Sequence, residues 1–121
     1  MKGRRKEITR EELHDKLKKG FNSNNIKSEY GMTELLSQAY SNTNGIFKSP
    51  PWLKILVREI NDPLYVKFHG KGALNFIDLA NVNSCSFIAS DDIGEVYRDS
   101  SFKVLGRLSD SEIRGCNLMF N

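Results

Sequence analysis

The sequence has no apolar run near the ~18 residues that a membrane-crossing helix needs. Its basic start, MKGRRKEITREEL, has no apolar stretch behind it of the kind that makes a secretory signal. A cytoplasmic location is therefore expected. Side chains on which many sites are built are also scarce. Two cysteines, Cys85 and Cys116, and two histidines, His14 and His69, are too few and too scattered for a disulfide framework or a His/Cys zinc site. No nucleophile-elbow motif is present to support a Ser-His-Asp hydrolase. Charge of one sign is scarce too: 18 Lys and Arg against 15 Asp and Glu leave +3, a weak footprint for nucleic acid, which is not an expected partner. At 121 residues the chain falls below the ~150 residues typical of one domain, which excludes a multidomain machine. What is present, 39% hydrophobic and 10% aromatic residues, is enough for one modest core.

Periodicity predicts an α+β protein. Thr9 followed by Glu12 is a capping box, Leu13, Leu17 and Phe21 recur at helical spacing, and Gly20 is a stop, so a helix is expected here. After the Asn-rich turn at 22–25, a short strand over 26–29 and a second helix over 32–40 follow, the latter from Leu35, Leu36 and Ala39. The Ser/Asn/Gly/Pro-rich stretch 41–51 reads as a loop. Beyond it, short apolar runs at 52–60, 64–68, 74–80, 84–89, 95–97 and 102–105, separated by turn residues, predict strands. The expected architecture is two N-terminal helices followed by a curled, mostly antiparallel sheet or small open barrel. The apolar end, Leu118-Met119-Phe120, reads as truncated or packed down.

Three polar junctions can carry chemistry. In Tyr30-Gly31-Met32-Thr33-Glu34, a strand-to-helix junction directs N–H groups and a helix dipole at an anion. Thr33 can then contact a phosphate and Glu34 can hold Mg²⁺, which favours one or two carboxylates plus phosphate oxygens. The competing reading is that Thr33 caps a helix and Glu34 is an ordinary first-turn acid. Asp91-Asp92-Ile93-Gly94 can offer a carboxylate to a sugar diol or be plain turn chemistry. Arg107 can pair with a phosphate or ribose, or form a surface salt bridge. Cys116, two residues from Arg114, is either an activated thiolate or a small buried residue. Cys85, inside Ser84-Cys85-Ser86-Phe87-Ile88, reads as core.

Taken in order, these segments resemble the adenylate-forming superfamily. Tyr30-Gly31-Met32-Thr33-Glu34 resembles its Tyr-Gly-x-Thr-Glu motif, Ser90-Asp91-Asp92-Ile93-Gly94 its Thr-Gly-Asp-x-Gly motif with Asp91 in place of the glycine, and Gly106-Arg107 through Arg114-Gly115 its Gly-Arg…Arg-Gly hinge. The wording SEYGMTELLSQAYS, PPWLKILVREINDP, DLANVNSCSFIASDD and RGCNLMF is most similar to the bioluminescence acyl-protein synthetases, near the phenylacetate-CoA ligases. The resemblance implies that residues 1–121 are a C-terminal piece of an adenylating domain. Its first part, 1–40, would carry the Tyr-Gly-x-Thr-Glu motif, and 52–121 would form a β-rich subdomain, with the phosphate loop and acyl pocket upstream. It implies ATP and Mg²⁺ as cofactors and a fatty acid or other carboxylate as substrate, activated as an acyl adenylate and transferred to a thiol. Tyr30, Gly31, Met32, Thr33, Asp92 and Arg107 would line the nucleotide, with Tyr30 stacked near the adenine, Thr33 on the adenylate phosphate, Asp92 on the ribose hydroxyls and Arg107 at ribose or phosphate. Glu34 would take the metal, and Cys116 would accept the acyl group. Implied partners are a reductase or acyl carrier, and a second copy covering exposed apolar surface. The piece alone would be inactive. The alternatives are an aryl- or acyl-CoA ligase and a non-catalytic binding module.

Overall fold

The computed structural model describes residues 8–41 and 44–108. One helix, α1 (Arg10–Phe21), precedes eight strands: β1 (Ser28–Tyr30), β2 (Ala39–Ser41), β3 (Ile46–Lys48), β4 (Leu53–Arg58), β5 (Val66–Lys67), β6 (Gly70–Asp78), β7 (Phe87–Val96) and β8 (Phe102–Arg107). A single 3₁₀ turn, η1 (Leu79–Asn81), links β6 to β7. The strands form one sheet in the order β1-β2-β3-β8-β7-β6-β4-β5, every neighbouring pair antiparallel. Its first and last strands do not pair with each other, so the sheet is open and not a barrel.

The predicted α+β class holds, with one α-helix instead of two among the described residues. The first helix carries its capping box: Thr9 Oγ1 accepts from the Glu12 N–H, and the Glu12 carboxylate accepts from the Thr9 N–H. Its anchor is not the expected leucine and phenylalanine stripe, since Phe21 is 72% exposed and Leu13 is exposed too. The buried residue is His14, with Nε2 2.8 Å from Ser28 Oγ on β1, and the Arg10 guanidinium lies 5.2 Å from the centre of the Phe47 ring.

The second helix does not form. A helix over 32–40 would direct the N–H groups of Leu36 and Ser37 back to carbonyls one turn earlier. Instead both donate to one carboxylate oxygen of Asp78, at 3.0 and 2.9 Å. Residues 39–41 meanwhile pair with β1 on one side and β3 on the other. A fully buried acid in need of donors and two open strand edges together outweigh the local helical pattern. The strand-to-helix junction implied after Tyr30 is consequently absent, and with it the helix dipole behind the phosphate reading of Thr33.

Two expected turns lie inside strands. Residues 91–94 are in the middle of β7, which joins the runs predicted at 84–89 and 95–97. Gly94 explains why: a Cβ there would lie 2.6 Å from the Lys103 carbonyl oxygen and 2.9 Å from both methyls of Leu74. The glycine lets β7 cross tightly between β6 and β8, where the β7–β8 register shifts. Gly72 acts similarly in β6, where a Cβ would meet the Arg58 carbonyl oxygen at 2.5 Å. The loop expected over 41–51 contains β3, and Cys85 is exposed, not core.

The core lies on one face of the sheet. Leu53, Ile55 and Val57 of β4 alternate inward with Leu74 and Phe76 of β6, Val96 of β7, and Phe47 and Phe102 across the β3–β8 pair. Leu35 and Ala39 close over them. Phe47 and Phe102 stack at 5.4 Å between ring centres. Truncating either to alanine would cost about 3–5 kcal/mol.

Candidate functional site

Three residues nominated from sequence positions 30, 92 and 107 come together. Tyr30, at the end of β1, has its ring stacked on Phe76 at 5.7 Å and set edge-on to Phe47 and Phe102 at 5.8 and 5.4 Å. This aromatic bed fixes the ring and aims its hydroxyl along the sheet. The hydroxyl donates to Asp92 Oδ2 at 2.6 Å, across 62 residues of sequence. Arg107 Nε donates to the other oxygen, Oδ1, at 3.1 Å. Asp92 and Arg107 are opposite each other on β7 and β8, so strand register alone brings them face to face.

Asp92 is 9% exposed, whereas the Arg107 side chain is 58% exposed. A carboxylate sunk this far needs donors or a counter-charge, and it has one of each. Burial, and then the hydrogen bond to Asp92 and its negative charge, push the Tyr30 phenol above its ordinary range. Tyr30 therefore stays a donor at neutral pH. A carboxylate has about four acceptor directions, and two are taken here, so Asp92 keeps capacity for further hydroxyl donors.

No family model, curated protein or solved structure matches this chain.

The other nominated residues are placed differently. Gly31 is exposed, and a Cβ there would meet only Gln38 Cγ at 3.6 Å, an ordinary contact, so the fold itself does not require glycine. Met32 is half-buried and packs against the core. Thr33 and Glu34 are exposed in the turn before β2, and Glu34 is tied down through its backbone, whose carbonyl accepts from Asn81 Nδ2 at 2.7 Å. Among the described residues no group of three or more His, Cys, Asp or Glu side chains can hold a metal ion. Glu34 alone fits only the pattern in which Mg²⁺ takes one protein carboxylate and completes its shell with phosphate oxygens and water. Cys116, Arg114 and Gly115 lie outside the described residues. No described helix is long and apolar enough to cross a membrane.

A second polar centre escaped the sequence reading. Asp78, fully buried, accepts from the Leu36 and Ser37 N–H groups on Oδ2, and from the Ser37 hydroxyl at 2.6 Å and the Ala80 N–H at 3.1 Å on Oδ1. Trp52 Nε1 donates to Ser37 Oγ at 3.0 Å, extending the network. Burial alone would raise the Asp78 carboxyl, but the hydrogen bonds from Ser37, Ala80 and Leu36 outweigh it and hold the group below its ordinary value. The signal available in the sequence was a lone acid inside the apolar run Phe76-Ile77-Asp78-Leu79-Ala80.

Proposed function

We propose that this chain carries the nucleotide-binding side of an enzyme that activates a carboxylate as an acyl adenylate and passes the acyl group to a thiol. The observation that supports the reading is the convergence of Tyr30, Asp92 and Arg107 on one carboxylate. These are three of the six residues that the motif resemblance assigns to the nucleotide. A buried carboxylate with spare acceptor capacity suits a vicinal diol, whose two hydroxyls both donate. Arg107, anchored through Nε and more than half exposed, suits a neighbouring phosphate.

In the reaction so assigned, a carboxylate oxygen of the substrate attacks the α-phosphorus of ATP and pyrophosphate leaves. A thiolate then attacks the acyl carbon, and AMP leaves with the electron pair of the broken anhydride bond. The residues of this chain bind and orient: Asp92 holds the ribose, Tyr30 holds Asp92, and Arg107 neutralises phosphate charge. Glu34 would offer the Mg²⁺ that accompanies the phosphates its one carboxylate, Thr33 would offer a hydroxyl without a helix dipole behind it, and Cys116 would be the acyl acceptor. The substrate class is a fatty acid, the partner a reductase or acyl carrier, and the setting the cytoplasm.

The test is titration of AMP into the chain, followed by NMR shifts of the 30–34 and 92–94 amides. Saturable binding is expected that weakens at least about tenfold in Asp92→Asn and with 2′,3′-dideoxy-AMP, because a lost charged hydrogen bond costs about 1.5–3 kcal/mol. Equal affinity of both nucleotides and both proteins would sink the proposal. For the transfer step, intact mass is measured on the chain joined to the phosphate-loop segment that this reading requires, after incubation with ATP, Mg²⁺ and fatty acids. An acyl increment lost in Cys116→Ser is the expected outcome.

A further inference from the structure

The β7–β8 hairpin carries polar groups at both of its ends. Asp92 pairs with Arg107 at one end and Val96 with Phe102 at the other, four residues of β7 apart, about 13 Å at ~3.3 Å per residue. The turn beyond Val96 is closed by its own backbone. The Tyr97 N–H donates to the Ser101 carbonyl at 2.8 Å, and the Ser100 N–H to the Tyr97 carbonyl at 3.0 Å. Ser100 is left-handed there, with φ at 67°, a conformation uncommon outside glycine. Because Phe47 pairs with Phe102, the residues leaving β3 come alongside this turn. Lys48, Ser49, Asp99, Ser100 and Ser101 line a cleft of about 200 Å³ between them. Pockets for drug-sized ligands run to roughly 300–1,000 Å³, so this one suits a smaller, polar molecule.

The cleft holds both signs of charge without joining them. Asp99 Oδ1 is occupied twice, by the Ser101 N–H at 3.1 Å and the Ser101 hydroxyl at 2.5 Å, which leaves Oδ2 for another donor. Those two bonds hold the Asp99 carboxyl below its ordinary value, and the Lys48 charge adds to the effect. Yet Lys48 and Asp99 form no direct ion pair among the described residues. Ser100 adds a donor. Its Oγ accepts from Lys54 Nζ at 3.1 Å, so its own hydrogen is left for another acceptor, strengthened by the ammonium behind it. A simple anion entering here would meet Asp99, and a simple amine would meet Lys48. A ligand carrying both charges meets neither objection. We propose that this cleft binds a small free α-amino acid, its ammonium on Asp99 Oδ2 and its carboxylate between Lys48 and the Ser100 hydroxyl. The inference does not depend on the nucleotide reading of Asp92 and Arg107.

The test titrates the complete chain with L-serine, read from NMR shifts of the 48–49 and 99–101 amides. Saturable binding is expected. Ethanolamine, which lacks the carboxylate, and glycolate, which lacks the ammonium, should each bind at least about tenfold more weakly, since each loses a charge-assisted hydrogen bond. Lys48→Met and Asp99→Asn should weaken L-serine to the same degree. Asparagine keeps an acceptor for Ser101, and unchanged amide shifts elsewhere in both variants confirm the fold. Shifts that grow linearly with L-serine, or equal midpoints for the three compounds, would overturn the proposal. So would glycolate binding as tightly as L-serine, which would make the cleft an anion site.

Discussion

Asp78 and Asp92 are both buried acids on neighbouring strands, yet they are satisfied in opposite ways. Three of the four hydrogen bonds to Asp78 come from backbone N–H groups, and all four come from segments within a few residues of its own turn or of Ser37. Its partners cannot leave without unfolding the 33–38 segment. Asp92 is held only by side chains, a phenol and a guanidinium, whose rotamers can change while the strands stay in place. The difference separates a carboxylate that shapes the chain from one that can exchange its partners for a ligand.

Removing each acid should expose that contrast. Asp78→Ala leaves several donors buried without an acceptor and should lower stability by about 3–4 kcal/mol in urea denaturation. A loss no larger than that of an Asp92 variant would erase the distinction. The same gap should depend on pH. Because the Asp78 carboxyl is held below its ordinary value near 3.8, its stabilisation is fully present above that value and disappears as pH falls through the lower folded value. The difference between wild type and Asp78→Ala should therefore be flat from about pH 5 to 8 and shrink only below the ordinary carboxyl range. A gap that instead shrank between pH 5 and 8 would point to a different group.

Asp92→Asn keeps an acceptor for Tyr30 and should cost only about 1 kcal/mol in urea while weakening AMP binding at least about tenfold. A large stability loss with no change in binding would make Asp92 a second structural acid. Tyr30 sharpens the same comparison from the alkaline side. With its folded value raised, its contribution is present below the ordinary phenol range near 10 and is lost as pH rises beyond it. The stability gap between wild type and Tyr30→Phe should therefore close only in strong alkali. The smallest effect belongs to Gly31→Ala, within about 0.5 kcal/mol by thermal unfolding, since nothing crowds the added methyl. If the nucleotide approaches the backbone there, AMP affinity falls while the fold is unchanged.

Local signals in the sequence were sound where local forces decide. The Thr9–Glu12 capping box lies within one turn and reads directly, and β4 and β6 show their alternation. The helix expected over 32–40 failed because its deciding partner, Asp78, lies 41 and 42 residues away from Ser37 and Leu36. The turn expected at 91–94 failed because Asp-Asp-x-Gly is turn chemistry in isolation, whereas Gly94 serves a crossing that exists only once Lys103 and Leu74 are in place. Tyr30, Asp92 and Arg107 were legible through motif resemblance, and their mutual contact follows from strand pairing that no single segment encodes. Asp78, Ser37, Trp52 and Asn81 carried no motif and were missed.

The sheet order divides the molecule into two strand groups, β1-β2-β3 and β8-β7-β6-β4-β5, joined by the short β3–β8 ladder of Ile46 with Lys103 and Phe47 with Phe102. Each group is assembled mainly from near neighbours, but the seam links residues more than fifty positions apart. During synthesis, the first group emerges well before β8, its strand partner among the described residues, exists, leaving Phe47 waiting for a ring made several seconds later at ~5–20 residues per second. The rate of folding should therefore be set by closure of this single seam, and its two phenylalanines are where a slow, non-local step in the life of the nascent chain is concentrated.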